Sequence, residues 1–270
     1  MNRLFDMHVH TTSSPDAGIP EEELAFRASS NGLGGVGFVA HVDFHPMDYC
    51  VGAFRADSYD AAFERALAES DAGLRLMKGI EIGEPHRFGD QIARAVAGRS
   101  YDFVVGAIHW VGNQQILDPD PFQHGDPLEL VEEYYRELLT MTRTCDIDVL
   151  AHAGICRRGM CRAGMDVSFD ETALWPGLMT ELIDSLIQRK IALEVNTSGL
   201  RRPEAVTYPT QKVLSLFSTL GGRMVTLGSD THSDPWVFYG LSEGSRLLRA
   251  EGIDSATVFE GRKPVAVPLP

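Results

Sequence analysis

Two histidines close to the start of the chain have the type and spacing to bind a metal ion. His8 and His10 follow an apolar run that begins at Leu4, and the run ends in the pattern Asp-x-His-x-His. Because side chains alternate between the two faces of a strand, both imidazoles would point the same way. Imidazole is a common protein ligand of metal ions. The pair therefore predicts a metal ion at the end of the first strand.

Imidazoles, carboxylates and one amide also follow six later apolar runs, so the first pair is not isolated. They are, in chain order, His41, Asp43 and His45; Glu81 and Glu84; His109; His152; Glu194 and Asn196; and Asp230 with His232. Of the nine histidines, only His86 and His124 lie elsewhere. A mixed set of imidazoles and carboxylates suits Zn, Fe or Mn. We expect a site with several ions, in which the carboxylate of Glu81 bridges two of them.

The elements that must position these residues are seven short strands separated by helices. The predicted strands are Leu4–Met7, Gly35–Ala40, Leu74–Ile82, Phe103–Ala107, Ile147–Leu150, Ile191–Val195 and Arg223–Leu227. The predicted helices begin at Pro20, near Asp57 or Ser58, and at Asp126–Pro127, with two more within 170–190 and 208–220. This alternation indicates a parallel sheet, and seven or eight units in one chain indicate a closed barrel with its site at the carboxyl ends of the strands. The tail from Pro264 to Pro270 has no periodicity and is expected to be extended.

Length and charge limit the classes of function. The chain has 270 residues and a formal net charge of −14, which argues against a groove that binds nucleic acid. A small phosphate ligand stays possible because metal ions can supply local positive charge. There is no apolar stretch of about 18 residues, no signal peptide precedes His8, and the four cysteines form no CxxC pair. We therefore expect a cytoplasmic protein that does not bind membranes, and its oligomeric state stays open.

Six short motifs occur in an order that resembles the PHP (polymerase and histidinol phosphatase) superfamily. They are Asp6-Met7-His8-Val9-His10, the His41 segment, Gly79-Ile80-Glu81, Gly106-Ala107-Ile108-His109, Ala151-His152 and Gly228-Ser229-Asp230-Thr231-His232. The resemblance implies one α/β domain over residues 1–270, a distorted (β/α)7 TIM-like barrel with three divalent ions (Zn, Fe or Mn). It also implies three ligand sets. The first is His8, His10, Glu81 and Asp230; the second is Glu81, His109 and His152; the third is Asp16, His41 and His232.

A seventh segment, from Glu194 to Arg201, is similar to one in monofunctional histidinol-phosphate phosphatases. In that family an arginine of this loop binds the substrate phosphate, and Arg201 matches it, with Arg202 as a neighbour that could substitute. Arg157 or Arg158 resembles a second phosphate-binding arginine. The guanidinium fork suits phosphate because it donates two charge-assisted hydrogen bonds.

The resemblance implies hydrolysis of a small phosphate monoester by a metal-bound hydroxide. The implied reaction is the conversion of L-histidinol phosphate to L-histidinol and phosphate, a step of histidine biosynthesis. Glu81, Asp230 and His232 are the expected catalytic residues. Glu81 would act by bridging two ions, whereas Asp230 and His232 are both possible proton donors to the leaving group.

One departure from the family pattern concerns His41. The family usually has Thr followed by Asp or Glu before this histidine, whereas Val39 and Ala40 stand here. A carboxylate normally orients a metal-bound histidine. Asp43 and His45 are the candidates to replace it.

Three other functions compete with histidinol phosphate hydrolysis. One is hydrolysis of another small phosphate ester, such as a nucleotide. The second is an amidohydrolase-type C–N hydrolase, although such enzymes usually bridge their metals with a lysine and place a histidine on strand six, where this chain has Glu81 and Asn196. The third is a metal-binding module without activity, which the full ligand set disfavours.

Overall fold

The strands and helices alternate along the computed structural model, which describes residues 2–270. The strands are β1 (Phe5–His10), β2 (Gly35–Val39), β3 (His41–Val42), β4 (Arg75–Gly83), β5 (Phe103–Ala107), β6 (Trp110–Val111), β7 (Gln114–Gln115), β8 (Val149–Leu150), β9 (Ala192–Asn196), β10 (Val225–Gly228), β11 (Ser255–Glu260) and β12 (Lys263–Pro268). The helices are α1 (Glu21–Ser30), α2 (Ala56–Glu69), α3 (Pro85–Ala95), α4 (Asp120–Gln123), α5 (Pro127–Thr144), α6 (Cys156–Arg162), α7 (Glu171–Leu174), α8 (Pro176–Arg189), α9 (Gln211–Thr219) and α10 (Leu241–Ala250).

Seven parallel strands form a nearly closed barrel, in the order β1-β2-β4-β5-β8-β9-β10, with the short β3 paired beside β4. The ends of this row meet, because the backbone N–H of His10 donates to the carbonyl of Thr231 at 2.9 Å. The N–H of Asp230 donates to the carbonyl of His8, also at 2.9 Å. The predicted barrel and its seven strands are confirmed. β1 runs three residues further than predicted, so His8 and His10 lie within the strand.

The predicted helices correspond to α1, α2, α5, α8 and α9. Pro20 precedes α1, and three glutamates fill its first turn. Their negative charges interact favourably with the positive end of the helix dipole. Asp126 caps α5 by accepting a hydrogen bond from the backbone N–H of Leu128. The predicted helix within 170–190 is two helices, since the chain bends at Trp175 and Pro176 starts α8. The helices α3, α4, α6 and α10 were not predicted.

The C-terminal tail is extended, as the sequence predicts, and it is also paired, which the sequence did not predict. Its residues form β12, which pairs antiparallel with β11. Val258 and Phe259 of this hairpin are buried, and the Phe259 ring stacks on Phe103 with centroids 6.2 Å apart. Because Phe103 is the first residue of β5, the hairpin covers the amino ends of the barrel strands. It lies at the end of the barrel opposite to the histidines.

Two further expectations concern the whole chain. Within residues 2–270, no helix combines the length and the apolar character that crossing a membrane requires. All four cysteines are free thiols.

Candidate metal centre

The carboxyl ends of the barrel strands bring three groups of ligand atoms together. Within each group, the imidazole nitrogens and carboxylate oxygens lie within 4.8 Å of one another. The groups are His10, Asp16, His41 and His232; His8, His10 and Asp230; and Glu81, His109 and His152. All nine predicted ligands are in these groups, which differ from the predicted sets in two places: Glu81 is not grouped with His8, and His10 also joins the group of Asp16. The fold therefore places next to each other side chains that are scattered from residue 8 to residue 232.

The side chains of His8 and His10 both point from β1 into the barrel, because residues two apart in a strand lie on the same face. The Nε2 atoms of His8 and His10 are 3.0 Å apart, and both rings are buried. Two imidazole nitrogens this close need a proton or a cation between them, because neutral lone pairs repel. The donor set and its crowding thus fit divalent ions.

Glu81 lies at the centre and reaches two of the groups. Its Oε1 is 2.9 Å from Nε2 of His152, and its Oε2 is 3.2 Å from Nε2 of His10. Burial alone would raise the pKa of Glu81, but the charges of His8 and His41 hold this pKa well below its usual range. The carboxylate is thus ionised and has one oxygen for each side, which suits a bridging ligand.

Glu194 supports the centre from outside it. Its Oε1 is 2.7 Å from Nδ1 of His8, and its Oε2 accepts a hydrogen bond from the backbone N–H of His152 at 2.6 Å. Gly228 leaves room for this carboxylate, since a Cβ there would overlap it. A carboxylate on the outer nitrogen fixes the tautomer and the direction of a ligand imidazole. The sequence indicated only that Glu194 ends a strand, which was the available signal for this role.

Glu84 holds the segment that carries His109. The helix α3 begins after it, and its backbone is in the left-handed region with φ of 43°. The side chain turns back, where Oε1 accepts from the backbone N–H groups of His109 at 2.6 Å and Trp110 at 3.0 Å. Burial raises the pKa of Glu84 to about 8. Glu84 therefore positions His109 through the backbone.

Asp43 lies beside His41, where the sequence lacks the usual preceding carboxylate, but it makes no hydrogen bond to the imidazole. Its Oδ2 lies 3.2 Å from Nδ1 of His41, and its Oδ1 lies 3.9 Å from Nδ1 of His109. His45 does not serve, because it stacks on Trp110 with ring centroids 4.2 Å apart and bonds to a loop carbonyl. Of the two candidates left open by the sequence, the geometry favours Asp43.

The backbone is strained where two ligands meet the cleft. His152 and Asp230 have φ values of 24° and 55°, in a region that residues with a Cβ rarely adopt. Strain of this kind costs about 1–3 kcal/mol per residue and persists where surrounding contacts enforce it. Two of the seven non-glycine residues with positive φ in the described chain are thus ligands of the cluster.

Two of the predicted arginines border the cluster. Arg158 donates to Oγ of Ser198 at 2.9 Å, and its guanidinium is 3.9 Å from Oδ2 of Asp230. Arg201 donates to the backbone carbonyls of Ser229 and Asp230 at 2.7 and 2.9 Å. These contacts fix both guanidinium groups beside the ligand groups.

Arg202 joins them in the same cavity. Partial burial lowers the pKa of Arg202, and the charges of Arg158 and Arg201 lower it further. Three guanidinium groups that repel one another form a site that favours an anion.

Arg157 is not brought to this cavity, which corrects its assignment as a phosphate ligand. Its guanidinium is buried and pairs with Glu171, with an Nη2–Oε2 distance of 2.5 Å. It also donates to the carbonyl of Phe169 at 2.9 Å. Successive residues of α6 are about 100° apart around the helix axis, so Arg157 and Arg158 cannot both face the cleft.

Known proteins resemble this chain along most of its length. The model of the PHP domain family matches residues 6–198. The probable histidinol-phosphatase of Clostridium acetobutylicum is 25% identical over 257 residues, which is 95% of this chain and 96% of that protein. The histidinol-phosphatase of Lactococcus lactis subsp. lactis is 23% identical over 265 residues, 97% of this chain and 96% of that protein.

Solved structures share the fold. The histidinol phosphate phosphatase from Lactococcus lactis subsp. lactis, complexed with zinc, L-histidinol and phosphate, has a TM-score of 0.83 at 22% identity. The match covers 97% of this chain and 99% of that chain. At 22% sequence identity, this structural similarity shows that the two chains share the barrel fold.

Proposed function

This chain belongs to the PHP domain family, and on that premise we propose that it is a phosphoric monoester hydrolase that converts L-histidinol phosphate to L-histidinol and phosphate. The observation that carries the proposal is the contact between two features, the three ligand groups and the cavity lined by arginines. Metal ligands beside fixed guanidinium groups are the arrangement that phosphoryl transfer needs. The curated relatives that match nearly the whole chain are named histidinol-phosphatases.

The nine residues of the ligand groups would hold three divalent ions, Zn, Fe or Mn. Bound there, such ions polarise phosphoryl oxygens and lower the pKa of water toward neutrality. Glu81 has one oxygen beside each of two groups, Glu194 holds the imidazole of His8, and Oδ2 of Asp43 lies 3.2 Å from the imidazole of His41. The substrate therefore meets preformed ligands rather than groups that it must order.

Arg158 and Arg201 would bind the phosphate oxygens. Both guanidinium groups are already held by protein oxygens, so little side-chain entropy is lost when the phosphate binds. Arg202 adds positive charge to the same cavity. The arginines orient the phosphate and stabilise the negative charge on its oxygens during displacement.

The leaving alkoxide needs a proton, and His232 and Asp230 are the two candidates. His232 lies at the mouth of the cleft, where its Nε2 is 3.2 Å from Oδ2 of Asp16 and its Nδ1 is 3.0 Å from the carbonyl of Asp230. Its ring is therefore fixed, and 26% of the side chain is exposed. Asp230 is more deeply buried than His232.

A phosphate-release screen tests this function. The purified protein is supplied with Zn, Mn or Fe and offered L-histidinol phosphate, nucleoside monophosphates and simple sugar phosphates. We expect L-histidinol phosphate to have the highest kcat/KM. A higher value for a nucleotide would reassign the substrate, ammonia release from amides would favour the C–N hydrolase, and bound metal without turnover would favour the inactive module.

A further inference from the structure

The cleft has two lobes that meet at the ligand groups. The lobes share Asp16, Arg158, Asp230 and His232. One is the cavity of the three arginines described above. The other, which we call the acidic lobe, is lined by Asp43, Asp48, Tyr49, Gln115, Leu117 and Ile155 in addition to the metal ligands. The cleft is therefore positive at one end and negative at the other.

Asp48 is a rigid carboxylate in the wall of the acidic lobe. Its Oδ1 accepts a hydrogen bond from the backbone N–H of Cys50 at 2.7 Å, and its Oδ2 accepts one from Nε1 of Trp110, also at 2.7 Å. Trp110 is itself buried and stacked on His45. The carboxylate thus has a fixed position, and binding a ligand would not require ordering it.

No lysine or arginine in residues 2–270 pairs with the carboxylates of Asp43 and Asp48, and the cationic group nearest to them is the imidazole of His41, 3.2 Å from Oδ2 of Asp43. Asp43 lies beside Asp48, in a group whose acidic and thiol atoms are within 4.8 Å of one another. Asp43 is buried, and its Oδ1 has no hydrogen-bond partner in the described chain. An unpaired buried carboxylate oxygen is costly, and a cation in the lobe would relieve that cost.

The remaining lining suits an organic group rather than water alone. Leu117 and Ile155 are apolar, and Tyr49 presents a ring that is 78% exposed at the mouth of the lobe. Apolar walls with a few fixed polar groups are typical of sites for small organic ligands. The acidic lobe thus fits an organic cation better than a hydrated ion.

We propose that Asp48 binds a protonated amine on the alcohol part of the substrate and selects phosphate esters of amino alcohols. With the phosphate held between the ligand groups and the arginines, the alcohol extends into the acidic lobe. The ammonium group there donates to Oδ2 or Oδ1 of Asp48. The inference rests on the proposed function, because it takes the arginine lobe as the phosphate site.

The test compares two esters that differ only in the amine. They are L-histidinol phosphate and 3-(imidazol-4-yl)propyl phosphate, and kcat/KM is measured for the wild type and for Asp48→Asn. We expect the wild type to prefer the amine-bearing ester by about 10- to 100-fold, as a hydrogen bond between charged groups implies. Asp48→Asn should lose this preference and hydrolyse the amine-free ester within about threefold of wild type.

Trp110→Phe is the matched control, because it removes the hydrogen bond to Asp48 and leaves the charge. It should keep the preference for the amine-bearing ester even if its thermal stability falls. Equal kcat/KM for the two esters in the wild type would overturn the inference. This comparison uses the wild type alone, so it does not depend on whether a variant folds. An equal loss on both esters in Asp48→Asn would also overturn it.

The result separates this inference from the proposed function. If the wild type hydrolyses both esters equally well, the phosphatase function stands and the role of Asp48 is wrong. If it hydrolyses neither, the proposed function fails and the inference fails with it. Metal content per chain is measured as well, because a loss of metal in Asp48→Asn would mean that the lobe holds an ion instead of an amine.

Discussion

Replacement of Glu194 by glutamine tests whether the outer carboxylate controls metal binding. The variant keeps the shape of the side chain but replaces one acceptor oxygen with an NH2 donor. If the new NH2 group faces His152, it meets the backbone N–H of that residue, so two hydrogen-bond donors face each other where the wild type has a 2.6 Å hydrogen bond. If it faces His8, the imidazole must accept at Nδ1 and carry its proton on Nε2, which is the atom that points into the ligand group. Both orientations weaken the centre.

The size of the effect follows from these contacts. Loss of an outer carboxylate typically lowers metal affinity or activity by about 10- to 100-fold. A hydrogen bond to a charged group contributes about 1.5–3 kcal/mol, which corresponds to the same range. We therefore expect Glu194→Gln to lose metal at a chelator concentration at least tenfold lower than wild type does.

The assay is metal content after dialysis against increasing chelator, together with phosphate release at each step. Glu21→Gln is the matched control, since Glu21 is equally buried. Its Oε1 alone accepts from the hydroxyls of Thr11 and Ser13, so glutamine can keep both bonds. Wild-type metal retention in Glu194→Gln would refute the orienting role, and equal losses in both variants would assign the effect to burial of the carboxylate.

Three further predictions concern the bridging carboxylate and the arginines. Glu81→Ala should lower metal content by two ions per chain and abolish phosphate release, because both carboxylate oxygens face ligand groups; near-normal hydrolysis in metal-saturated buffer would contradict the bridging role. Arg158→Ala and Arg201→Ala should raise KM for the phosphate ester at unchanged metal content, and unchanged kinetics would remove them from the phosphate site. Arg157→Ala should instead destabilise the fold by about 3–5 kcal/mol, measured by denaturant unfolding, since it leaves Glu171 buried and unpaired.

The sequence predicts the ligand cluster well because a parallel barrel converts a local pattern into a shared location. Each of His109, His152 and Asp230 follows an apolar run, and parallel strands place all such ends on one face. The strand assignment alone accounts for these residues, whereas Asp16 and the division into three sets came from the resemblance to the PHP superfamily. The barrel itself was predictable from the same alternation.

The features that the sequence missed depend on orientation or on distant partners. Whether Arg157 or Arg158 faces the cleft depends on the rotation of α6 about its axis, which packing decides. The choice between Asp43 and His45 depends on the path of a loop. The strand β12 forms because it pairs with β11. Its alternating residues Val265 and Val267 do not by themselves indicate which strand it would pair with.

The seam between β1 and the residues after β10 has a consequence for how the barrel can open. Two backbone hydrogen bonds cross this seam, one from His10 to Thr231 and one from Asp230 to His8. Nε2 of His10 and Oδ1 of Asp230 face each other across it at 3.8 Å. An ion held between these two atoms would fasten the first strand of the row to the last, and the ring could not open there without releasing it.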